Sequence, residues 1–267
     1  FPYSNQFSTT SNIESDQIRR TDQNEPTETM SSHRRDGDVL GVGNGSSGVV
    51  LRILNLYACL GGNRYKWDEV ADITVTAVEL DTELAKLYQE RFPNDTVIVA
   101  DAHKYLLDHY KEFDFIWSSP PCPTHSRARF WGFGTNGKNP VYPDMGLYQE
   151  ILFLQHHFKG KYCVENVVPY YEPMAFPYQR GRHLYWTNFE LPTILSDRDI
   201  PAFTRTDAVK KLCEFHDYNF YQYKGKQRKE KIARNLVDYE AGRTILETAL
   251  KIKRADNATQ TKLFEEN

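Results

Sequence analysis

From Val49 onward the chain alternates short apolar runs with amphipathic stretches. Leu51 to Tyr57 (LRILNLY) is an apolar run followed by the glycine pair Gly61-Gly62, and Ile73 to Glu79 (ITVTAVE) is rich in β-branched residues. Such residues pack well on a pleated surface, so both segments predict strands. Asp81 stands where an N-cap belongs, and Leu84, Ala85, Leu87 and Tyr88 recur at helical spacing until Pro93-Asn94-Asp95 stops them. Thr96 to Ala100 predicts a third strand, Phe113 to Trp117 a fourth, Tyr162 to Glu165 a fifth and His183 to Asn188 a later one. Met145 to Phe158 and Leu236 to Ile252 predict helices. Strands alternating with helices imply an α/β fold with a mostly parallel sheet. Ligands of such sheets bind beyond the carboxyl ends of the strands, so candidate chemistry is sought just after each one.

Residues 1–49 break the pattern. They are rich in Ser, Thr, Asn, Asp and Arg, end in a Gly/Ser run at 41–48 and show no period. With little apolar surface to offset ordering entropy, this segment reads as a flexible polar tail. The chain opens on Phe1, as a fragment or a translation running in from upstream would, and Met30 is an alternative start.

Composition narrows the class. Of 267 residues, 40% are hydrophobic and 26% charged, enough for a sizeable core. The mean hydropathy is -0.64. No run of about 20 apolar residues occurs, which argues against a membrane span. A net charge of -3 excludes a globally basic nucleic-acid coat but not a local basic face. The four cysteines, Cys59, Cys122, Cys163 and Cys213, form no CxxC pair and no zinc-ligand spacing. Neither a metal site nor a disulfide scaffold is expected, and the thiols read as reduced and intracellular.

The strand ends carry the polar residues. Asn55-Leu56-Tyr57-Ala58-Cys59-Leu60-Gly61-Gly62 follows the first strand, and its glycines would let a ligand approach the backbone closely. Glu79 ends the second strand, placed to accept from ribose hydroxyls, and Asp101 follows the third, placed to accept from an adenine amine. Each acid alone is an ordinary loop residue; the ordered set points to a nucleoside-containing cofactor. The fourth strand runs into Ser118-Ser119-Pro120-Pro121-Cys122-Pro123, a thiol held rigidly between prolines. Glu165-Asn166-Val167 follows the fifth strand and would lie beside the Cys122 loop if strands four and five are neighbours. Arg180-Gly181-Arg182 leads into the next strand.

This ordered set resembles the cytosine-C5 DNA methyltransferases of compact, phage or bacterial type. Asn55 to Gly62 is similar to their first motif, Pro121-Cys122 to their Pro-Cys motif, Glu165-Asn166-Val167 to their Glu-Asn-Val motif and Arg180/Arg182 to their Arg-x-Arg motif. Asn235-Leu236-Val237 is similar to the start of the last motif, so the resemblance runs from about Leu51 to Leu250. Departures are Asn55 for the usual Asp, Cys59 for the first Gly, Pro123 for a common Gln, Tyr178 for a Gln and Arg234 for a Gly.

The resemblance implies a Rossmann-like methyltransferase fold and S-adenosylmethionine as cofactor. It implies that Cys122 is a nucleophile with a lowered pKa, that Glu165 holds the N3 edge of cytosine, and that Arg182, supported by Arg180, binds O2. It also implies a cofactor site of Tyr57, Ala58, Gly61, Gly62, Glu79, Leu80, Asp101, Ala102, Pro121, Leu147 and Asn235. The implied partner is double-stranded DNA with its target base flipped out, read by a monomer in the cytoplasm of a bacterial or phage-infected cell. Whether a restriction endonuclease accompanies it is not readable from the residues.

The expected organisation is a tail over 1–49, a catalytic domain over 50–191, a small target-recognition region over 192–231 and a returning C-terminal helix over 232–267. The recognition region interleaves Lys210, Lys211, Lys224, Lys226, Arg228, Lys229 and Lys231 with Phe215, Tyr218, Phe220, Tyr221 and Tyr223, suiting phosphate contact and base stacking, or a lysine-rich loop over a small aromatic core. The basic, Gly-rich loop His125 to Pro140 could close over the flipped base. Three other readings share parts of the pattern: a tRNA cytosine-C5 methyltransferase, a cytosine-N4 amino methyltransferase, and a catalytically degenerate DNA-binding homologue.

Overall fold

The computed structural model describes residues 50–128, 139–202, 204 and 206–252. The polar segment 1–49 and the tip of the Gly-rich loop, 129–138, lie outside the described residues, and so do the expectations placed on them.

Seven strands form one sheet in the order β3-β2-β1-β4-β5-β7-β6. β1 (Leu51–Leu56), β2 (Ile73–Glu79), β3 (Thr96–Val99), β4 (Phe115–Ser118) and β5 (Lys161–Val167) are parallel. β7 (His183–Thr187) pairs antiparallel with β5, and β6 (Tyr178–Arg180) antiparallel with β7 through a turn at Gly181, φ +57°. This is the Rossmann-like, mostly parallel α/β architecture expected from the sequence.

Both faces of the sheet are covered, which is why β1 and β4 are apolar without alternation. Successive residues point to opposite faces. Leu54 and Leu56 enter one core with Leu106 of α2 (Ala102–His109) and Leu147, Ile151 and Leu154 of α3 (Gly146–His157). Ile53 enters the other with Trp67, Phe115, Trp117 and Ile245 of α6 (Tyr239–Ala249). Strand order reverses at β1/β4, and the crevice at this switch point is where such sheets bind ligands.

α1 (Thr82–Arg91) starts as expected: Asp81 Oδ1 accepts from the Glu83 and Leu84 N–H groups. α2 was not expected; Asp101 caps it by accepting from Lys104 N. The helix expected over Leu236 to Ile252 is present as α6, and a separate short helix precedes it. α5 (Lys229–Asn235) ends before Leu236-Val237, and Asp238 caps α6. A short α4 (Ala208–His216) precedes them.

The segment expected as a recognition region has no core of its own. Leu212, Phe220, Tyr223, Ile232 and Leu236 pack on Leu60, Leu84 and Leu87 in one cluster. Phe220 and Tyr223 are 0% and 1% exposed, so these two rings are core and not stacking platforms; Tyr221 remains exposed. A turn this polar needs the buried rings to stay folded against α1. Among the described residues, no helix is long and apolar enough to cross a membrane.

Candidate active site

One cavity of about 1300 Å³ opens at the carboxyl ends of β1, β2, β4 and β5. Its walls carry Tyr57, Glu79, Leu80, Asp101, Ala102 and Leu147 at one end. Cys122, Glu165, Arg182, Lys231 and Asn235 line it as well, with Pro121 between. The adjacency of β4 and β5 does this. Ser118, the last residue of β4, pairs with Val164, so Ser119 leaves the sheet beside Glu165, which is still within β5.

Four expected residues fall outside the cavity. Arg180 spends its guanidinium on main-chain carbonyls of Leu191, Pro192 and Gln179 and stacks on Tyr178. It anchors the strand connection and does not line this cavity. Ala58 is buried, with its N–H bonded to the Val78 carbonyl. Gly61 and Gly62 do not make room for a ligand. A Cβ on Gly61, φ +66°, would stand 2.4 Å from the Phe92 ring, and one on Gly62 would stand 2.4 Å from the Val237 carbonyl. Both glycines let the first loop seat against protein.

At the Glu79 end the Glu79 carboxylate accepts from Cys59 N and Asp81 N, both at 2.8 Å. Burial raises its pKa, against those two bonds. Cys59, standing where the family has glycine, holds φ +49°, a left-handed conformation unusual for a side chain with a Cβ. Its thiol is pushed up to about 12 by burial and by Glu79, so it stays neutral. Tyr57, φ +56°, donates its hydroxyl to Glu150 at 2.5 Å.

Glu150 is the residue the sequence reading missed. It lies on α3, buried, and also accepts from Ser118 Oγ at 2.6 Å and pairs with His103 Nδ1 at 2.9 Å. Three elements that frame the cavity thus converge on one carboxylate. A glutamate inside the apolar face of Met145 to Phe158 was the available signal, because such a residue needs partners.

At the other end Glu165 is 7% exposed, and burial raises its pKa to about 7 against a bond from Ser119 and the charge of Arg182. His183 Nε2 stands 3.6 Å from its Oε1. Asn166 Nδ2 donates to the Pro120 carbonyl at 3.0 Å, fixing the loop that carries Cys122. The Cys122 thiol does not have the expected lowered pKa. Burial and Glu165 raise it, and Lys231 and Arg182 only partly offset them. Arg182 is exposed and donates to the Arg234 carbonyl at 3.1 Å, which ties the β6–β7 turn to α5.

Residues 51–145 match the family model of C-5 cytosine-specific DNA methylases, the segment that holds the Glu79, Asp101 and Cys122 strand ends. This part of the chain is similar to the cytosine-C5 methyltransferase family. The cofactor that this similarity implies is S-adenosylmethionine. The cavity fits that group by its donor set: Glu79 and Asp101 offer carboxylates for hydroxyl and amine hydrogens, and Tyr57 and Leu147 offer apolar faces. No curated protein matches the chain. Among solved structures, a DNMT2 mutant of Spodoptera frugiperda is 26% identical, with 44% of this chain and 35% of that one covered and a TM-score of 0.33. The methyltransferase EhMeth of Entamoeba histolytica is 9% identical, with 77% and 100% covered and a TM-score of 0.46. An S-adenosylmethionine-dependent methyltransferase of Agrobacterium tumefaciens is 17% identical, with 46% and 40% covered and a TM-score of 0.33. The chain thus spans about a third of the length of the insect structure it matches.

Proposed function

We propose that the chain transfers a methyl group from S-adenosylmethionine to C5 of an unstacked cytosine in DNA, through a covalent adduct on Cys122. The observation that carries this reading is the sharing of one cavity by Cys122, Glu165 and Arg182, with Glu165 held near neutral pKa. The bound cofactor supplies an electrophilic methyl on a sulfonium. Cytosine C5 is too weak a nucleophile to take it unaided. The Cys122 sulfur bonds to C6, Glu165 in its acid form gives a proton to N3, and Arg182 holds O2 against the charge that develops there. C5, now enamine-like, accepts the methyl. The C5 proton leaves to a base, elimination across C5–C6 releases Cys122, and the N3 proton returns to Glu165.

Burial and Glu165 raise the Cys122 pKa, so the thiol must give its proton to solvent before its sulfur attacks C6. A pKa of about 7 for Glu165 supplies a carboxylic acid at neutral pH, which an ordinary glutamate would not. A second reading, an RNA cytosine as target, is favoured by the small size of the 192–231 segment and its lack of a core of its own.

The test uses 5-fluorocytosine in duplex DNA and in a tRNA-like RNA, each with S-adenosylmethionine. A denaturing-gel adduct on DNA that disappears in Cys122→Ser is expected. No adduct on either polymer would overturn the covalent mechanism, an adduct on RNA alone would overturn the DNA assignment, and N4-methylcytosine as product would overturn both.

A further inference from the structure

A second cavity, of about 320 Å³, lies on the other side of the wall made by Arg182, His183 and Arg234, and these three residues line both cavities. Its volume is at the lower end of small-molecule sites, roughly 300–1,000 Å³. Its floor is apolar, with Leu195, Leu212 and Leu236 among its lining. Phe215 adds an aromatic face, with the Arg198 guanidinium 4.1 Å from its ring centroid. Four arginines line it (Arg180, Arg182, Arg198 and Arg234) against one carboxylate, Asp238, which Arg198 pairs at 2.6 Å. Buried His216 also lines it, kept neutral by desolvation, and its Nδ1 has no partner among the described residues.

An apolar, aromatic floor under a cationic rim suits a group with a flat apolar body and an anionic tail. A nucleotide has that chemistry: the base can lie on the apolar floor, and the phosphate can meet the arginines of the shared wall. The shared wall argues for the source. We propose that this cavity takes a second nucleotide of the substrate strand, adjacent to the target cytosine, with the connecting phosphate crossing the Arg182–Arg234 wall. This rests on the catalytic cavity taking a flipped cytosine. It adds that the enzyme engages two neighbouring bases out of the stack, which a single-stranded or looped substrate allows at much lower cost than a duplex.

The test measures binding of single-stranded oligonucleotides by fluorescence anisotropy, without methyl transfer. One has all its bases, and others carry an abasic site immediately 5′ or 3′ of the target cytosine. For the wild-type chain, an abasic site on one of the two sides should weaken binding about tenfold, the scale of one lost stacking contact. Ile194 and Ile200 line the cavity and are 68% and 43% exposed, so Ile194→Trp and Ile200→Trp fill it from the rim without opening a core. In at least one of these variants, shown folded by thermal melting, intact and abasic strands should bind alike. Equal binding of intact and abasic strands by the wild type overturns the proposal, as does an abasic penalty that survives in both variants. So does a free mononucleotide at millimolar concentration that leaves strand binding unchanged. Loss of the 5-fluorocytosine adduct with the abasic penalty intact would sink the covalent chemistry and leave the second subsite standing.

Discussion

Glu150→Ala removes the carboxylate on which the Tyr57, Ser118 and His103 side chains converge at 2.5, 2.6 and 2.9 Å. Hydrogen bonds to a charged group contribute about 1.5–3 kcal/mol each, and burying a carboxylate costs several kcal/mol in the other direction. The net loss should be about 3–5 kcal/mol, the range found when one partner of a buried polar cluster is deleted. Against a total stability of about 5–15 kcal/mol this is a large fraction, and in a domain of this size it lowers Tm by roughly 10 °C. Glu150→Gln keeps the shape and one acceptor and should cost about 1–2 kcal/mol. Urea and thermal unfolding measure both, and calorimetry measures cofactor affinity, which should fall in step because Tyr57 loses its tether. The pH dependence adds a second readout. His103 is raised above its ordinary pKa of 6.5 by the bond to Glu150, so its stabilising contribution is complete below that value and is lost as pH climbs through the raised one. The gap between wild type and Glu150→Gln should therefore narrow on the alkaline side of pH 6.5. A cost below about 1 kcal/mol for Glu150→Ala, or a stability loss with unchanged cofactor affinity, would refute the claim that this carboxylate organises the cavity.

Three further outcomes follow from the site. Glu165 carries a folded-state pKa of about 7 against an ordinary 4.5, so wild-type stability should decline as pH rises between those values. Glu165→Gln should thus be more stable than wild type at pH 8, by up to about 3 kcal/mol in denaturant titrations, while methyl transfer collapses. Arg182→Ala should lower the methyl-transfer rate by about 10²-fold or more with little change in Tm, and Arg180→Ala should do the reverse, costing about 1–2 kcal/mol of stability while the rate per folded molecule holds. Gly61→Ala, forced into φ +66° and against the Phe92 ring, should destabilise by about 2–4 kcal/mol in thermal melts; a change under 1 kcal/mol would mean the loop is not seated as described.

The sheet was legible because buried parallel strands write themselves as apolar runs, and because Asp81 and Pro93 punctuate α1 from both ends. Cys122, Glu165 and Arg182 were legible because each stands in the loop after a strand, at the carboxyl end of one or inside a tight turn, where spacing in sequence fixes position in space. What did not show was mutual dependence. Arg180 and Arg182 are two residues apart with identical chemistry, and only the carbonyls of Leu191 and Pro192 separate anchor from cavity residue. Gly61 and Gly62 signalled close approach correctly, but the approaching group is Phe92 and Val237, far off in sequence. The aromatics at 215–223 carry no periodicity that distinguishes a stacking ring from a buried one; contact with α1 decides it. The thiol pKa was misjudged because positive neighbours are visible in sequence and desolvation is not.

One bond pattern at Asp81 has a thermodynamic consequence. Its N–H holds Glu79, its Oδ1 caps α1, and its Oδ2 accepts from Tyr223 Oη at 3.1 Å and Gln227 Nε2 at 3.0 Å. A single aspartate therefore ties the carboxylate at the cofactor end to the basic segment that would meet the nucleic acid. Binding events that both act on this hinge are linked, and linkage is reciprocal: whatever factor the methyl donor adds to nucleic-acid affinity, the nucleic acid must add to affinity for the donor.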